Sequence, residues 1–139
     1  NILEFFNTRS NYYLNILSKG VFSIEFDEVL SEYISNGFGE VSFDTLSGGE
    51  KKKVSLAVML SLNDLLRLSG KEKSNIIFFD EVADSLDKEG VKGLCELIDE
   101  LKEDKKVFII SHNEYLTSII EDEATELVVK KKQGTTSFA

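Results

Sequence analysis

Leu46-Ser47-Gly48-Gly49-Glu50 and, further along, Ile76-Ile77-Phe78-Phe79-Asp80-Glu81 decide the fold. The first stretch reads as a turn that opens a helix. Ser47 is a good N-cap, and Glu50, three residues on, can return to the Ser47 amide. A helix start also presents unpaired N–H groups and the positive end of the helix dipole, which suits an anion. A capping box alone accounts for Ser47 and Glu50 but gives no reason for two consecutive glycines, which let another backbone or a ligand come close. The second stretch is a short apolar run ending in two carboxylates. Open α/β sheets place their ligand chemistry at such strand ends. Strands also end in acids simply because they stop at water, and the residues alone leave both readings open.

Working outward, the turn feeds a long helix from about Gly49 to Leu68. Val54, Ala57, Val58, Leu62, Leu65 and Leu66 form one apolar stripe, and Leu56, Met59 and Leu60 spread to a second face, which predicts a helix buried on both sides. Two strand-length runs follow, Ile76 to Phe79 and Val107 to Ile110, of the kind expected for central parallel strands covered on both faces. Between them Val91, Leu94, Cys95, Ile98 and Leu101 recur at helical spacing, so a parallel βαβ crossover is expected. Upstream, Phe22, Ile24 and Phe26 alternate with polar residues as a half-buried strand, with Leu30 to Ile34 as its hairpin partner. Val41 and Phe43 form a short edge strand. A short helix around Tyr115 to Ile120 and a strand at Glu126 to Lys130 complete an α/β fold, with largely parallel central strands, flanking helices and a small antiparallel edge.

The first helical segment, Ile2 to Leu17, has imperfect periodicity and ends near Gly20. It fits the last turns of a long helix entering a globular head, or a short surface helix. The chain opens at Asn1 inside this segment, as expected of a piece of a longer protein. The expected division is residues 1–20 as the end of a long, coiled-coil helix and residues 21–139 as the globular lobe.

Two further short motifs follow in order. Ser85-Leu86-Asp87 lies just past Asp80, and Asp87 also suits the N-cap of the helix over residues 88–102. Ser111-His112 follows the second buried run, and His112 is the sole histidine. Cys95 sits on an apolar stripe and reads as a core residue without a redox role. The runs Lys51–Lys53 and Lys130–Lys132 read as solvated faces.

Bulk properties bound the function. A chain of 139 residues can bury one core. The formal charge of −9 argues against this surface gripping DNA unaided, because duplex binding rests on neutralising phosphates with Lys and Arg. No apolar run approaches the roughly 18–20 residues of a membrane span, and no leader-like segment opens the chain. One cysteine excludes an internal disulfide and fits a reducing cytoplasm. No G-x-x-x-x-G-K-[ST] phosphate loop occurs.

Four motifs in this order, each placed where a strand or helix would present it, resemble the carboxyl-terminal half of an ATP-binding cassette (ABC) ATPase head. Glu50 in place of the transporter glutamine, the stretch Phe22 to Glu28, Asp80-Glu81-Val82-Ala83-Asp84-Ser85-Leu86-Asp87 and the retained His112 are similar to SbcC-type DNA-repair ATPases, and to their bacteriophage relatives in recombination nucleases. The resemblance covers residues 21–131. It implies that Ser47, Gly48, Gly49 and Glu50 form a signature motif serving the γ-phosphate bound by the opposite subunit of a dimer. It implies that Asp80 holds magnesium through water, that Glu81 is the general base, that Ser85 and Asp87 belong to the interface-crossing D-loop, and that His112 is the switch histidine. The implied cofactors are ATP and magnesium. The implied partners are the amino-terminal phosphate-loop half of the same protein, a second copy in an ATP-sandwiched homodimer, a nuclease subunit, and DNA through the whole complex, with no membrane. A chromosome-structure clamp of the SMC type and a transporter motor are the alternatives.

Overall fold

The computed structural model describes residues 1–70, 74–132 and 135–138, with backbone alone at 130–132, 135 and 138. Helix α1 (Ile2–Ser18) starts on an Asn1 side-chain cap and stops where Lys19 and Gly20 both take positive φ. Strands β1 (Ser23–Phe26), β2 (Glu32–Ser35) and β3 (Glu40–Val41) form an antiparallel sheet in that order, with Ile24 opposite Ile34. The β1–β2 turn closes on Asp27, whose carboxylate accepts the Val29 and Ser31 amides at 3.0 and 2.9 Å. Phe43 leaves the expected edge strand and begins a 3₁₀ turn, because Thr45 and Leu46 bond back to the carbonyls of Ser42 and Phe43.

The first edge of that sheet is covered in an unusual way. Asn7 and Asn11 lie one turn apart on α1, and each side chain both donates to and accepts from one β1 residue. Asn11 pairs with Ile24 at 2.6 and 2.9 Å, and Asn7 with Phe26 at 2.9 and 2.8 Å. Two helical amides thus take the place of a neighbouring strand and leave β1 without a bare edge.

Helix α2 (Gly48–Leu68) and helix α3 (Lys88–Leu101) flank α1, and the three share one core. Tyr13, Leu14 and Leu17 of α1 are fully enclosed, together with Ala57 and Leu60 of α2 and Val91, Leu94 and Leu97 of α3. Arg9, Tyr13 and Asp64 form a closed polar triangle between α1 and α2, each contact 2.7 Å long. Burial and the Asp64 carboxylate push the Tyr13 hydroxyl well above its usual range, so Tyr13 stays a neutral donor. The expectation that α2 is buried on both sides is corrected. Met59, Leu62 and Leu66 are exposed, because α1 packs on one face of α2 only.

Strands β4 (Ile76–Asp80) and β5 (Lys106–Ile110) pair in parallel, Ile76 opposite Lys106 through Asp80 opposite Ile110, with α3 as the crossover. They are also covered on one face rather than both. Phe79 is fully buried, whereas Ile76, Phe78, Phe108 and Ile110 face outward, with the Phe78 and Phe108 rings stacked 4.9 Å apart. Helix α4 (Glu114–Ile120) follows, and the hairpin β6 (Val129–Lys132) and β7 (Thr135–Phe138) ends the described chain. The expected strand at Glu126 begins three residues later, where pairing with β7 starts. Among the described residues no helix is long and apolar enough to cross a membrane.

Candidate functional site

The acidic strand end and the histidine meet at one edge of the parallel pair. Asp80 closes β4, and the chain then turns sharply. Glu81 takes a left-handed conformation, φ 49° and ψ 28°, while its amide donates to the Ile110 carbonyl at 2.7 Å. His112 lies two residues beyond Ile110 at the same end of β5. Its Nε2 is 4.0 Å from Glu81 Oε1, and both side chains are exposed. Asp80 is exposed beside them, an oxygen donor free to face a ligand.

Two stitches hold the loops that carry Glu81 and His112 together. Ser111 Oγ donates to Asp84 Oδ1 at 3.1 Å, and Asn113 Nδ2 donates to the Ala83 carbonyl at 3.1 Å. Asn113 also caps α4 by accepting the Leu116 amide at 2.9 Å. The sequence places Ser111 in a motif with His112 but gives no sign of its bond to Asp84, and it does not single out Asn113. The visible signal was an Asn directly before a helix, which explains the cap but not the link to Ala83.

At the other end of the 82–87 segment lies the Ser47 turn. The capping box forms as expected, with Ser47 N donating to Glu50 Oε2 at 2.7 Å and Glu50 N donating to Ser47 Oγ at 3.3 Å. The Ser47 amide, followed by the Ser47 hydroxyl, holds the Glu50 carboxyl below its usual range. The two glycines have different reasons. A Cβ on Gly49 would stand 2.8 Å from the Ser85 carbonyl oxygen, so Gly49 lets the 85–87 loop pass against the helix start. A Cβ on Gly48 would meet nothing within 4 Å. Among the described residues nothing requires glycine at position 48, and the turn is exposed there.

Lys53 corrects the reading of Lys51–Lys53 as a solvated face. It is only 8% exposed, and its Nζ sits 2.8 Å from Asp87 Oδ1. Asp87 caps α3 through the same oxygen, accepting the Gly90 amide at 2.9 Å. Lys53, followed by the Gly90 amide, draws the Asp87 carboxyl below its usual range against the opposing effect of burial. Side chains of Lys130–Lys132 lie outside the described residues. Cys95 is half-buried against the core, and burial pushes its thiol up, in keeping with a packing role.

Ser47, Gly49, Lys53, Ser85 and Asp87 line one cleft of about 560 Å³. A larger groove of about 860 Å³ runs between α1 and the β1–β3 sheet, but Glu4, Glu25, Asp27 and Glu28 line it. Among the described residues that groove has no lysine or arginine in its wall. The smaller cleft also carries Glu50, Asp87 and Glu89, but sets Lys19 and Lys53 among them and holds the motif residues, so its edge is the candidate site.

Residues 6–137 match the RecF/RecN/SMC N-terminal domain. The chain belongs to that family. Exonuclease subunit 2 of Escherichia phage RB69 is 37% identical over 113 residues, covering 79% of this chain and 20% of the relative. Exonuclease subunit 2 of Enterobacteria phage T4 is 34% identical over 116 residues, covering 81% and 20%. The chain therefore spans about a fifth of the length of these relatives. A solved structure from work on ATP-driven dimerisation and DNA-stimulated activation of SMC ATPases superposes with a TM-score of 0.77 at 17% identity, covering 99% of this chain and 83% of that one. The fold is that of an SMC-type ATPase head, as the motif order implied.

Proposed function

We propose that this lobe is the carboxyl-terminal half of a nucleotide-hydrolysing head in a DNA repair or recombination ATPase that dimerises on ATP and regulates a partner nuclease. One observation carries the reading. Glu81 and His112 stand 4.0 Å apart at the ends of adjacent parallel strands, exposed toward the edge where open α/β sheets bind ligands. In this reading Glu81 accepts a proton from the water that attacks the γ-phosphorus, and His112 donates a hydrogen bond to the γ-phosphate. Asp80 offers one exposed carboxylate, which suits a magnesium ion that keeps most of its waters and takes its other ligands from phosphates. That ion would neutralise charge developing on the phosphates.

The two halves of the site then belong to different nucleotides. Ser47, Gly48, Gly49 and Glu50 start a 21-residue helix whose amide end is open at Gly48 and so fits a phosphate brought by a second copy. Ser85 and Asp87 lie between that turn and Glu81. The exposed stacked pair Phe78–Phe108 and the exposed Met59, Leu62 and Leu66 support a lobe completed by further chain, namely the amino-terminal half that supplies the phosphate loop. Residues 1–20 in this reading continue from a coiled-coil arm. DNA would be met by the full complex in the cytoplasm, since the charge of −9 disfavours unaided binding by this lobe.

The test is Glu81→Gln in the full-length protein with its nuclease subunit. Turnover of ATP should fall by about 10²–10⁴-fold while nucleotide affinity is retained and dimers persist on ATP. Near-normal hydrolysis would remove Glu81 as the base. The SMC-like fold also favours a slow structural clamp. In that case Glu81→Gln would leave nuclease activity unchanged, whereas the reading preferred here expects nuclease activity to respond to the trapped ATP state.

A further inference from the structure

Two lysines are buried among the described residues. Lys105 reaches the Asn63 side chain at 2.9 Å, a neutral partner, near the start of β5. Lys53 is different, because its ammonium is enclosed next to the signature turn and held on a carboxylate of the following loop. A buried ammonium is costly unless it is paired, so the position of Asp87 and the burial of Lys53 depend on each other.

Helix geometry explains the arrangement. Gly49 and Lys53 are four residues apart and lie on the same face of α2. Gly49 meets the Ser85 carbonyl, and Lys53, one turn on, meets Asp87. One face of the signature helix therefore touches the D-loop at two residues. Residue 90 leaves room for the lysine: a Cβ there would stand 2.8 Å from Lys53 Cε and 2.8 Å from Asp87 Oδ1. Ala83 and Asp84, directly before that loop, are bound to Asn113 and Ser111.

We infer that Lys53 is a positioning residue whose ammonium, seated on Asp87, ties the Ser85–Asp87 loop to the signature helix, so that the two segments facing a partner's nucleotide move as one body. This rests on the reading of the site proposed above. Lys53 touches neither nucleotide nor water in this role. It acts through Asp87 and the helix that presents Ser47. If the two segments slipped independently, the signature turn would lose its register against the loop, and a misplacement of about 1 Å in a catalytic assembly can cost about a hundredfold in rate.

The experiment uses the full-length protein with its nuclease subunit and measures steady-state ATP hydrolysis, ATP affinity and thermal unfolding together. Lys53→Met keeps the aliphatic stem and deletes the charge. Asp87→Asn keeps the helix cap and deletes the carboxylate. Each should lower kcat about tenfold or more with KM for ATP within about twofold of wild type. The double variant should be no slower than the worse single one, because both remove the same contact. Lys53→Arg, which retains the charge, should keep most of the activity. The inference is overturned by a Lys53→Met protein with wild-type kcat, by a loss confined to KM, or by additive losses in the double variant. It is also overturned if kcat recovers whenever Lys53→Met is assayed well below its unfolding temperature, since the role would then be stability alone. Glu81→Gln run alongside separates the two readings. Normal turnover in that variant removes the site and this inference with it, whereas a dead Glu81→Gln beside a normal Lys53→Met removes this inference only.

Discussion

Replacing each signature glycine by alanine separates folding from function at adjacent positions. In Gly49→Ala the new methyl would stand 2.8 Å from the Ser85 carbonyl oxygen, below the 3.0 Å limit of real Cβ contacts. The obstacle is backbone and cannot rotate away. Leu86 N bonds the Ala83 carbonyl at 3.1 Å, and Asp87 is held by both Lys53 and Gly90, so the loop must shift as a unit. Overpacking of this type costs about 1–3 kcal/mol, partly offset by the helix preference of alanine over glycine, at most about 1 kcal/mol. A net loss of about 0–3 kcal/mol remains, and because both variants share the helix preference, they should differ by about the 1–3 kcal/mol of overpacking. Gly48→Ala meets nothing within 4 Å and should gain a few tenths of a kcal/mol. In urea titrations followed by circular dichroism, with a mid-range slope of about 2 kcal/mol per molar, the Gly49 variant should unfold about 0.5–1.5 M earlier than the Gly48 variant. Under the proposed function Gly48→Ala should nonetheless weaken ATP-driven dimerisation, because its methyl would enter the open space at the helix start that the proposal assigns to a partner's phosphate. Equal midpoints, or an earlier transition for Gly48→Ala, would refute the assignment of Gly49 to the loop contact.

Ser47→Arg should abolish ATP-dependent dimer mass in light scattering while sparing the nucleotide affinity of one subunit, at a cost of about 1 kcal/mol for the lost cap; collapse of affinity with dimers intact would place the motif in cis. Asn11→Ala removes both bonds to Ile24 and should cost about 1–3 kcal/mol, with the Ile24 amide exchanging much faster by NMR. Folded-state carboxyls held low at Glu50 and Asp87 stabilise above the unfolded value of about 4, and this contribution is lost as pH falls through their folded values. Acid unfolding of the wild type, followed by fluorescence, should therefore begin near pH 4. Asp87→Asn lacks that contribution at every pH, so it should be less stable near neutrality and lose less further stability between about pH 5 and pH 3.

Much of the fold was legible because its signals are periodic or terminal. Helix α3 follows from Val91, Leu94, Ile98 and Leu101, and both capping residues Ser47 and Asp87 stand where the sequence implies. The open face of β4 and β5 was not legible. An apolar run such as Ile76-Ile77-Phe78-Phe79 reads the same whether one side or both are covered. The same ambiguity hid the exposure of Met59, Leu62 and Leu66. Lys53 was concealed by its neighbours, since one lysine of three looks solvated until a glycine at position 90 is known to lie opposite. Asn7 and Asn11 carried a readable signal in hindsight. Their spacing of one helical turn, about 6 Å, nearly matches the roughly 6.7 Å between alternate residues of a strand.

The left-handed turn at Glu81 connects these observations to the chemistry. In a continuing strand, Asp80 and Glu81 would point to opposite faces, and only one could serve a shared site. Forcing a glutamate to φ 49° costs on the order of 1–2 kcal/mol, and the chain could have avoided it with glycine. Glycine has no carboxylate, so under the proposed function the strain at position 81 keeps the carboxylate that the site needs. The neighbours hold that strain in place: the Glu81 amide is bound to Ile110, and Ala83 and Asp84 are bound to Asn113 and Ser111. Those partners flank His112 itself. The contacts that hold Glu81 in its turn are therefore the contacts that bring the histidine to within 4.0 Å of it, and the shared role proposed for the two residues depends on β4 and β5 being adjacent.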